Sequence, residues 1–328
     1  MARWLSSLRG FAGAHRWLIV AVQLLAFGAL LAVLGWFTRD TLSSALSHVE
    51  DANVPLFILA CAVLAAYYLA FVLGWIRILD DWGIELSYPA ALRAEMVSML
   101  AKYIPGGIWA PVARVAAARR AGVTDAWLVT ASMLLEAGIS AVAGVLVFVI
   151  SLVWVRGVDA PIAPIVCFGI AVAVLVHPRV FRTVIARMLR RLGYRRDLPP
   201  LRGETVGLLV VFYAGTWVLG GFALWLLLRS VGAHPAPSTI VYLGGTAAIG
   251  AIVAVLAFFA PSGLGVREET VYTLMLAVAP SSQALAATAL NRVAITVVEV
   301  LLLVVGGMFL RARDRRNEPQ ARLRDAEA

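Results

Sequence analysis

The sequence has almost no lysine: Lys102 is the only one among 28 basic residues, and charged residues of every kind make up 14% of the 328. Cysteine occurs twice, at Cys61 and Cys167, each inside an apolar run, which excludes a disulfide framework and a thiolate metal site. The histidines His15, His48, His177 and His234 are scattered, so no imidazole metal site is expected either. No Ser-His-Asp arrangement, phosphate-binding glycine loop or pair of catalytic carboxylates on a soluble domain is present. Neither a cofactor nor a soluble-enzyme reaction is therefore expected.

Apolar residues fill the space that charge leaves. They are 62% of the chain and mean hydropathy is +0.88, which places it among polytopic membrane proteins. A net charge of +9 would suggest nucleic acid in a soluble protein. Here the arginines flank apolar segments, as in cytoplasmic loops that face anionic lipid, and nucleic acid is not expected as a partner.

Apolar runs at 17–37, 54–76, 127–155, 161–177, 206–228, 238–260 and 287–310 are long enough to cross a hydrocarbon core of about 30 Å. The first is too long for a signal-peptide core and is expected to be a retained span. Arginine predominates over acid in the tail 1–16, in 178–205 and in the tail 311–328, so these three are expected to be cytoplasmic, with both termini inside. The loop 38–53 and the turn near 156–160 are expected outside. Parity then closes with six crossings, with 86–120 dipping in from the cytoplasm and 238–280 from outside; two full spans in 238–280 would preserve it equally. The expected fold is an all-α polytopic bundle of about six to eight transmembrane helices with two inverted re-entrant hairpins, forming one domain over 17–310.

An internal repeat supports the hairpins. Pro105-Gly106-Gly107-Ile108 and Pro261-Ser262-Gly263-Leu264 share a Pro-small-Gly-aliphatic pattern at an offset of 156. The same offset sets Glu136 against Arg292 and 54–76 against 210–232, giving inverted repeats near 54–155 and 206–310. Proline and glycine stop one helix and start another, and such a break is tolerated at membrane depth only inside protein or beside a cavity.

Each break would present a helix N-terminus, near Ile108 and Leu264, and hence a site for an anion. Lys102, Arg267 and Arg114 would add full charges that suit a phosphate. The plainer alternative is that Pro-Gly kinks a helix while Lys102 and Arg114 reach the cytoplasmic surface. Glu136, Arg292 and Glu299 lie inside apolar runs, where an isolated charge costs about 3 kcal/mol, so each requires a partner or a polar cavity. They serve either as packing ion pairs or as gating contacts for a charged substrate. Asp80 and Asp81 read as a helix-end charge pair with Arg77. Tyr103, Trp109, Trp127 and Trp154 are suited to interfacial anchoring.

Lys102-Tyr103-Ile104-Pro105-Gly106-Gly107-Ile108-Trp109 followed by Arg114, and Ala260-Pro261-Ser262-Gly263-Leu264-Gly265-Val266-Arg267-Glu268, resemble the two signature segments of the transmembrane region of lysylphosphatidylglycerol synthases and their stand-alone, flippase-like relatives. The resemblance runs from about residue 15 to 311. It implies a bundle with two re-entrant hairpins that moves a lipid between leaflets of the cytoplasmic membrane. It also implies that Lys102, Pro105, Gly106, Gly107, Trp109, Arg114, Pro261, Gly263, Gly265, Arg267 and Glu268 contact the substrate. The synthases continue into a soluble aminoacyl-transferase domain; this chain ends at Ala328, so aminoacylation is not expected. A phospholipid and a polyprenyl-phosphate-linked glycan are then equally suitable substrates, with cell-envelope synthesis enzymes as possible partners. The rival readings are a membrane-embedded glycosyl or lipid transferase using Glu136 or Glu268, and a non-transporting scaffold for envelope enzymes.

Overall fold

The computed structural model describes residues 47–101, 109–155, 158, 162–191, 198–199, 201–257, 263 and 265–327, and every regular element among them is helical. In chain order these are α1 (Val54–Asp81), α2 (Tyr88–Ala101), α3 (Trp109–Arg120), α4 (Ala126–Ser151), α5 (Ile162–Val176), α6 (Pro178–Arg191), α7 (Gly203–Ser230), α8 (Thr239–Leu256), α9 (Val266–Met275) and α10 (Ser281–Glu327).

Local sequence sets several boundaries. Asn53 caps α1, its side chain accepting from the Leu56 amide at 3.1 Å, and Pro55 occupies the first turn where its missing donor costs nothing. At the other end Gly83, at φ 73°, takes the left-handed conformation that turns the chain after α1. Asp125 caps α4 by accepting from the Trp127 amide at 3.0 Å. The long helices have apolar residues all round, as helices do when lipid and protein are their only surroundings.

Among the described residues five helices are long and apolar enough to cross a membrane: α1, α4, α7, α8 and the part of α10 from Ser281 to Val304. A sixth crossing is added if α5 and α6 count as one span, bent by 73° at His177. The chain is therefore a multi-pass membrane protein. The expected spans at 54–76, 127–155 and 206–228 correspond to α1, α4 and α7, whereas the last begins at Ser281 rather than near 287. The expected span at 17–37 lies outside the described residues.

The remaining helices are too short to cross. At a rise of 1.5 Å per residue, α2, α3 and α9 reach about 21, 18 and 15 Å. α2 and α3 run antiparallel, since Arg114 meets Glu95 and the Ser98 hydroxyl donates to the Ala110 carbonyl at 3.2 Å. α8 and α9 also run antiparallel, with the Tyr242 hydroxyl on the Leu274 carbonyl at 2.8 Å and Gly250 against Val271. The basic stretch 178–205, expected as a loop, contains the helix α6, because Phe181, Ile185 and Ala186 give it an apolar side that packs against the rest of the protein.

The packing repeats itself. α1 and α7 are each 28 residues long and antiparallel. The Asn53 amide donates to the Ser230 carbonyl at 2.8 Å at one end. At the other, Asp81 accepts from the Arg202 amide at 2.9 Å and from the Thr205 hydroxyl at 3.0 Å. Asp81 is thus engaged by the start of α7 rather than by the expected Arg77. Exchanging α1 to α4 for α7 to α10 carries the contact of α1 with α2 onto α7 with α8, α2 with α3 onto α8 with α9, and α3 with α4 onto α9 with α10. It also carries α4 with α7 onto α10 with α1, and α4 with α8 onto α10 with α2. The offset of 156 fits the later helices: α3 displaced by it covers 265–276, against Val266–Met275. It does not fit the first pair, for α1 coincides with α7 at 149, so the sequence alignment of 54–76 with 210–232 is seven residues out.

The centre is held by close backbone approach. Gly221 and Gly244 meet backbone to backbone between α7 and α8, and a Cβ on Gly245 would stand 2.5 Å from the Phe148 Cα of α4. Small residues permit this, and dispersion at short range replaces the hydrophobic drive that lipid cannot supply. Tyr213, Tyr242, Phe148 and Trp75 fill the remaining interior.

Candidate functional site

Arg114 lies in the second turn of α3 and points at α4. Its side chain is 6% exposed, where transfer out of water is costly unless charge meets charge. Nη1 stands 2.8 Å from Glu136 Oε2 on α4 and 2.9 Å from Glu95 Oε2 on α2, the second contact lacking the alignment of a hydrogen bond. The guanidinium carbon is 3.9 Å from the ring centroid of Trp75 on α1, whose own Nε1 donates to the Ser132 hydroxyl at 2.8 Å. The Tyr213 hydroxyl of α7 donates to Glu136 Oε1 at 3.2 Å. Four helices thus converge on one guanidinium through α2, α3, α4 and α1. Two carboxylates, the buried Glu136 and the part-buried Glu95, share it, yet its Nε and Nη2 have no hydrogen-bond partner.

Beside this cluster lies a cavity of about 500 Å³ enclosed by α1, α3, α4, α5, α7 and α8. Its charged lining residues are Arg114 and Glu136; the rest of the wall is chiefly apolar, including Phe71, Val172 and Trp217. Leu134, Val255 and Leu256 line it too and are 51%, 79% and 57% exposed, so the cavity opens through an apolar rim. Such a space suits a hydrocarbon chain, and the Arg114 guanidinium beside it has two buried nitrogens without an acceptor.

The alternative in which Arg114 reaches the cytoplasmic surface is overturned by this burial. Glu136 and Arg292, set in register by the repeat, both have partners, but not each other. Arg292 Nη1 lies 3.5 Å from Glu268 Oε1, in a pair about one-fifth exposed. Glu268 also accepts from the Gly265 amide through Oε2 at 2.7 Å, closing the first turn of α9. Gly263 and Gly265 have φ of 66° and 82°, the conformations that make glycine necessary at this turn. Glu299 accepts from the Tyr68 hydroxyl at 2.9 Å. Arg267 makes no ion pair among the described residues and its buried Nε has no acceptor, although it lies within electrostatic reach of Tyr67 and Tyr68. Trp109 is 40% exposed at the start of α3. Lys102, Pro105, Gly106, Gly107 and Pro261, with Ile108 and Leu264, lie outside the described residues.

Glu95, Trp75, Tyr213 and Tyr68 escaped sequence reasoning. For Glu95 a signal existed: in a hairpin folded about 104–105, positions 95 and 114 lie opposite. The aromatic residues look like any others in apolar helices, and only the fold turns their polar atoms inward.

The family model for the lysylphosphatidylglycerol synthase TM region matches residues 15–303 of this chain. No match is found among curated proteins.

Proposed function

Because the chain belongs to the family of the lysylphosphatidylglycerol synthase transmembrane region, we propose that it moves a phosphate-bearing lipid between membrane leaflets, the headgroup visiting Arg114 while its hydrocarbon occupies the neighbouring cavity. The observation that carries this reading is the pairing of an apolar, laterally rimmed cavity with a buried guanidinium whose Nε and Nη2 are unpartnered. A phosphate would supply acceptors to both nitrogens and offset the excess negative charge of neither carboxylate, so its stay at the site is expected to be brief and Glu136 to release Arg114 as the lipid arrives. In this reading α2–α3 and α8–α9 are the two re-entrant hairpins, Lys102 and Arg267 attract headgroups toward the site, and both termini face the cytoplasm. Phosphatidylglycerol-like lipids and polyprenyl-phosphate carriers both satisfy the chemistry.

The transferase reading is weaker, because Glu136 and Glu268, the carboxylates it requires, are both held by arginines. Transbilayer movement of labelled phosphatidylglycerol and of a polyprenyl-phosphate analogue in proteoliposomes tests the proposal. Movement of either lipid that is lost in Arg114→Gln and in the cavity-filling Ala141→Trp supports it. Movement unchanged in both folded variants, or absent in the wild type, overturns it.

A further inference from the structure

Two carboxylates stand on the same nitrogen of a single guanidinium, Glu136 Oε2 at 2.8 Å and Glu95 Oε2 at 2.9 Å from Arg114 Nη1. With both ionised, one negative charge is left over in a part of the bundle where the Arg114 and Glu136 side chains are 6% and 3% exposed. Glu95 is not held as a paired anion would be: its buried Oε2 has no hydrogen-bond partner despite its nearness to Nη1.

No other element offsets that charge. Among the described residues the charges acting on Glu136 are those of Arg114 and Glu95, with the Tyr213 hydroxyl of α7 as a further hydrogen-bond partner. Tyr67 of α1 lies within electrostatic reach of both carboxylates and of Arg267 from α9. α8 and α5 bring one titratable group each, Tyr242, which donates to the Leu274 carbonyl, and the exposed Cys167. α10, which packs against α2, brings Arg292 and Glu299, engaged by Glu268 and Tyr68. Arg93, on α2 itself, is exposed.

A headgroup phosphate enlarges the imbalance. Once it accepts from Nε and Nη2, three anions face one guanidinium, and a phosphodiester does not take a proton near neutral pH. Glu136 lines the cavity, so when it leaves Arg114 its carboxylate meets a wall that includes Phe71, Val172 and Trp217, where an ionised group is costly. As a neutral acid it keeps a partner. The Tyr213 hydroxyl, 3.2 Å from Oε1, can accept as well as donate.

We propose that the lipid anion crosses together with a proton carried on Glu136: as the headgroup phosphate displaces Glu136 from Arg114, the carboxylate takes a proton from water on the entry side, and returns it to water on the far side when the lipid leaves and the Glu136–Arg114 pair re-forms. This rests on the transport reading above and names the ion that accompanies the lipid. One O–H bond forms and one breaks for each lipid, no electrons move, and lipid and proton together carry no net charge. Glu95 contributes the negative charge on Nη1 that makes a second free carboxylate beside the phosphate unfavourable.

The test uses phosphatidylcholine vesicles of the full chain containing labelled phosphatidylglycerol or, in a second arm, a labelled polyprenyl-phosphate-linked sugar, whose phosphate is likewise a diester. Protein-free vesicles set the background. With the interior one pH unit more alkaline than the outside, the transported lipid is expected to reach an inner-to-outer ratio of about tenfold, and the inverse with the gradient reversed. A membrane potential set with potassium and valinomycin is expected to leave the ratio unchanged. Lipid that moves faster than in protein-free vesicles but distributes equally under the gradient, or follows the potential instead, overturns the proton and leaves the transport reading standing. Movement no faster than in protein-free vesicles overturns both. Glu136→Gln is expected to bring the ratio from about tenfold to about one, whereas Glu136→Asp, which keeps a carboxylate for Arg114, is expected to retain the response. A tenfold ratio in Glu136→Gln, or a loss in Glu136→Asp equal to that in Glu136→Gln, overturns Glu136 as the carrier.

Discussion

Arg114 and Glu136 are joined at 2.8 Å with side chains 6% and 3% exposed, so the strongest charge pair of the described core lies inside a membrane bundle. Removing one partner leaves an uncompensated buried charge, a loss of about 3–5 kcal/mol. Glu136→Ala is expected to lower the unfolding temperature in detergent sharply, and Arg114→Met more so, because two carboxylates then face each other without a cation. The double variant Arg114→Met with Glu136→Leu is expected to recover most of that loss, since apolar groups of similar size fit the same space. A double variant no more stable than Arg114→Met would show that the pair is not the coupling unit and that Glu95 dominates. If the recovered double variant fails to move lipid, the pair serves transport and not only packing.

Asp81 acts on a helix that begins 122 positions later. It satisfies the Arg202 amide and the Thr205 hydroxyl at the start of α7, whose own Arg202 offers no side-chain cap. A missing N-terminal acceptor costs about 1 kcal/mol. Asp81→Ala is expected to lose about that much stability in thermal unfolding, Asp81→Asn less, and Asp80→Ala close to nothing. Equal losses from Asp80 and Asp81 would contradict the assignment.

These two residues show what a sequence discloses and what it withholds. The length of α1, α4 and α7 is readable because apolar runs of that size have few other uses, and short helices lie on both sides of residues 102–108, whereas the helix before residue 261, α8, is long enough to cross. The family is readable from the two signature segments. Partners are another matter. Arg114 was open to two readings, an anion-site cation or a surface residue, and its burial follows only from Glu95, Glu136 and Trp75 arriving from three other helices. The offset of 156 suits α3 with α9 but not α1 with α7, which coincide at 149, and a shift of this kind inside apolar helices leaves no mark in composition.

Glycine positions separate contact from conformation. At Gly221 an added Cβ runs into the Gly244 amide and the Ile240 carbonyl of α8, backbone that cannot rotate away. At Gly215, on the same helix, a Cβ meets nothing within 4 Å. Gly221→Ala is therefore expected to force α7 and α8 apart, at about 1–3 kcal/mol or more, and to reduce the folded fraction recovered from membranes. Gly215→Ala is expected to be neutral or to stabilise by up to about 1 kcal/mol through helix propensity. Equal behaviour of the two variants in a thermal unfolding assay would exclude the close approach.

α6 makes the last prediction. It leaves α5 at 73°, and its sequence separates Arg179, Arg182, Arg187 and Arg191 from Phe181 and Ile185 around the helix. Ile185 is buried against the protein, whereas Val184 and Met188 are 42% and 43% exposed along the edge between the two faces. A helix of this kind, held by one side and turned across the line of a membrane helix, is expected to lie at the lipid surface with its arginines among headgroups. Each arginine near an anionic surface contributes about 1 kcal/mol. Phosphatidylglycerol is accordingly expected to raise the unfolding temperature relative to phosphatidylcholine, and the triple variant Arg179→Gln, Arg182→Gln, Arg187→Gln to abolish most of that difference while unfolding normally in phosphatidylcholine. The effect should shrink in high salt, which screens exposed charge over about 8 Å at physiological strength and less above it. A phosphatidylglycerol effect that survives the triple variant would place the lipid contact elsewhere, and the buried arginines of the bundle would be the next to substitute.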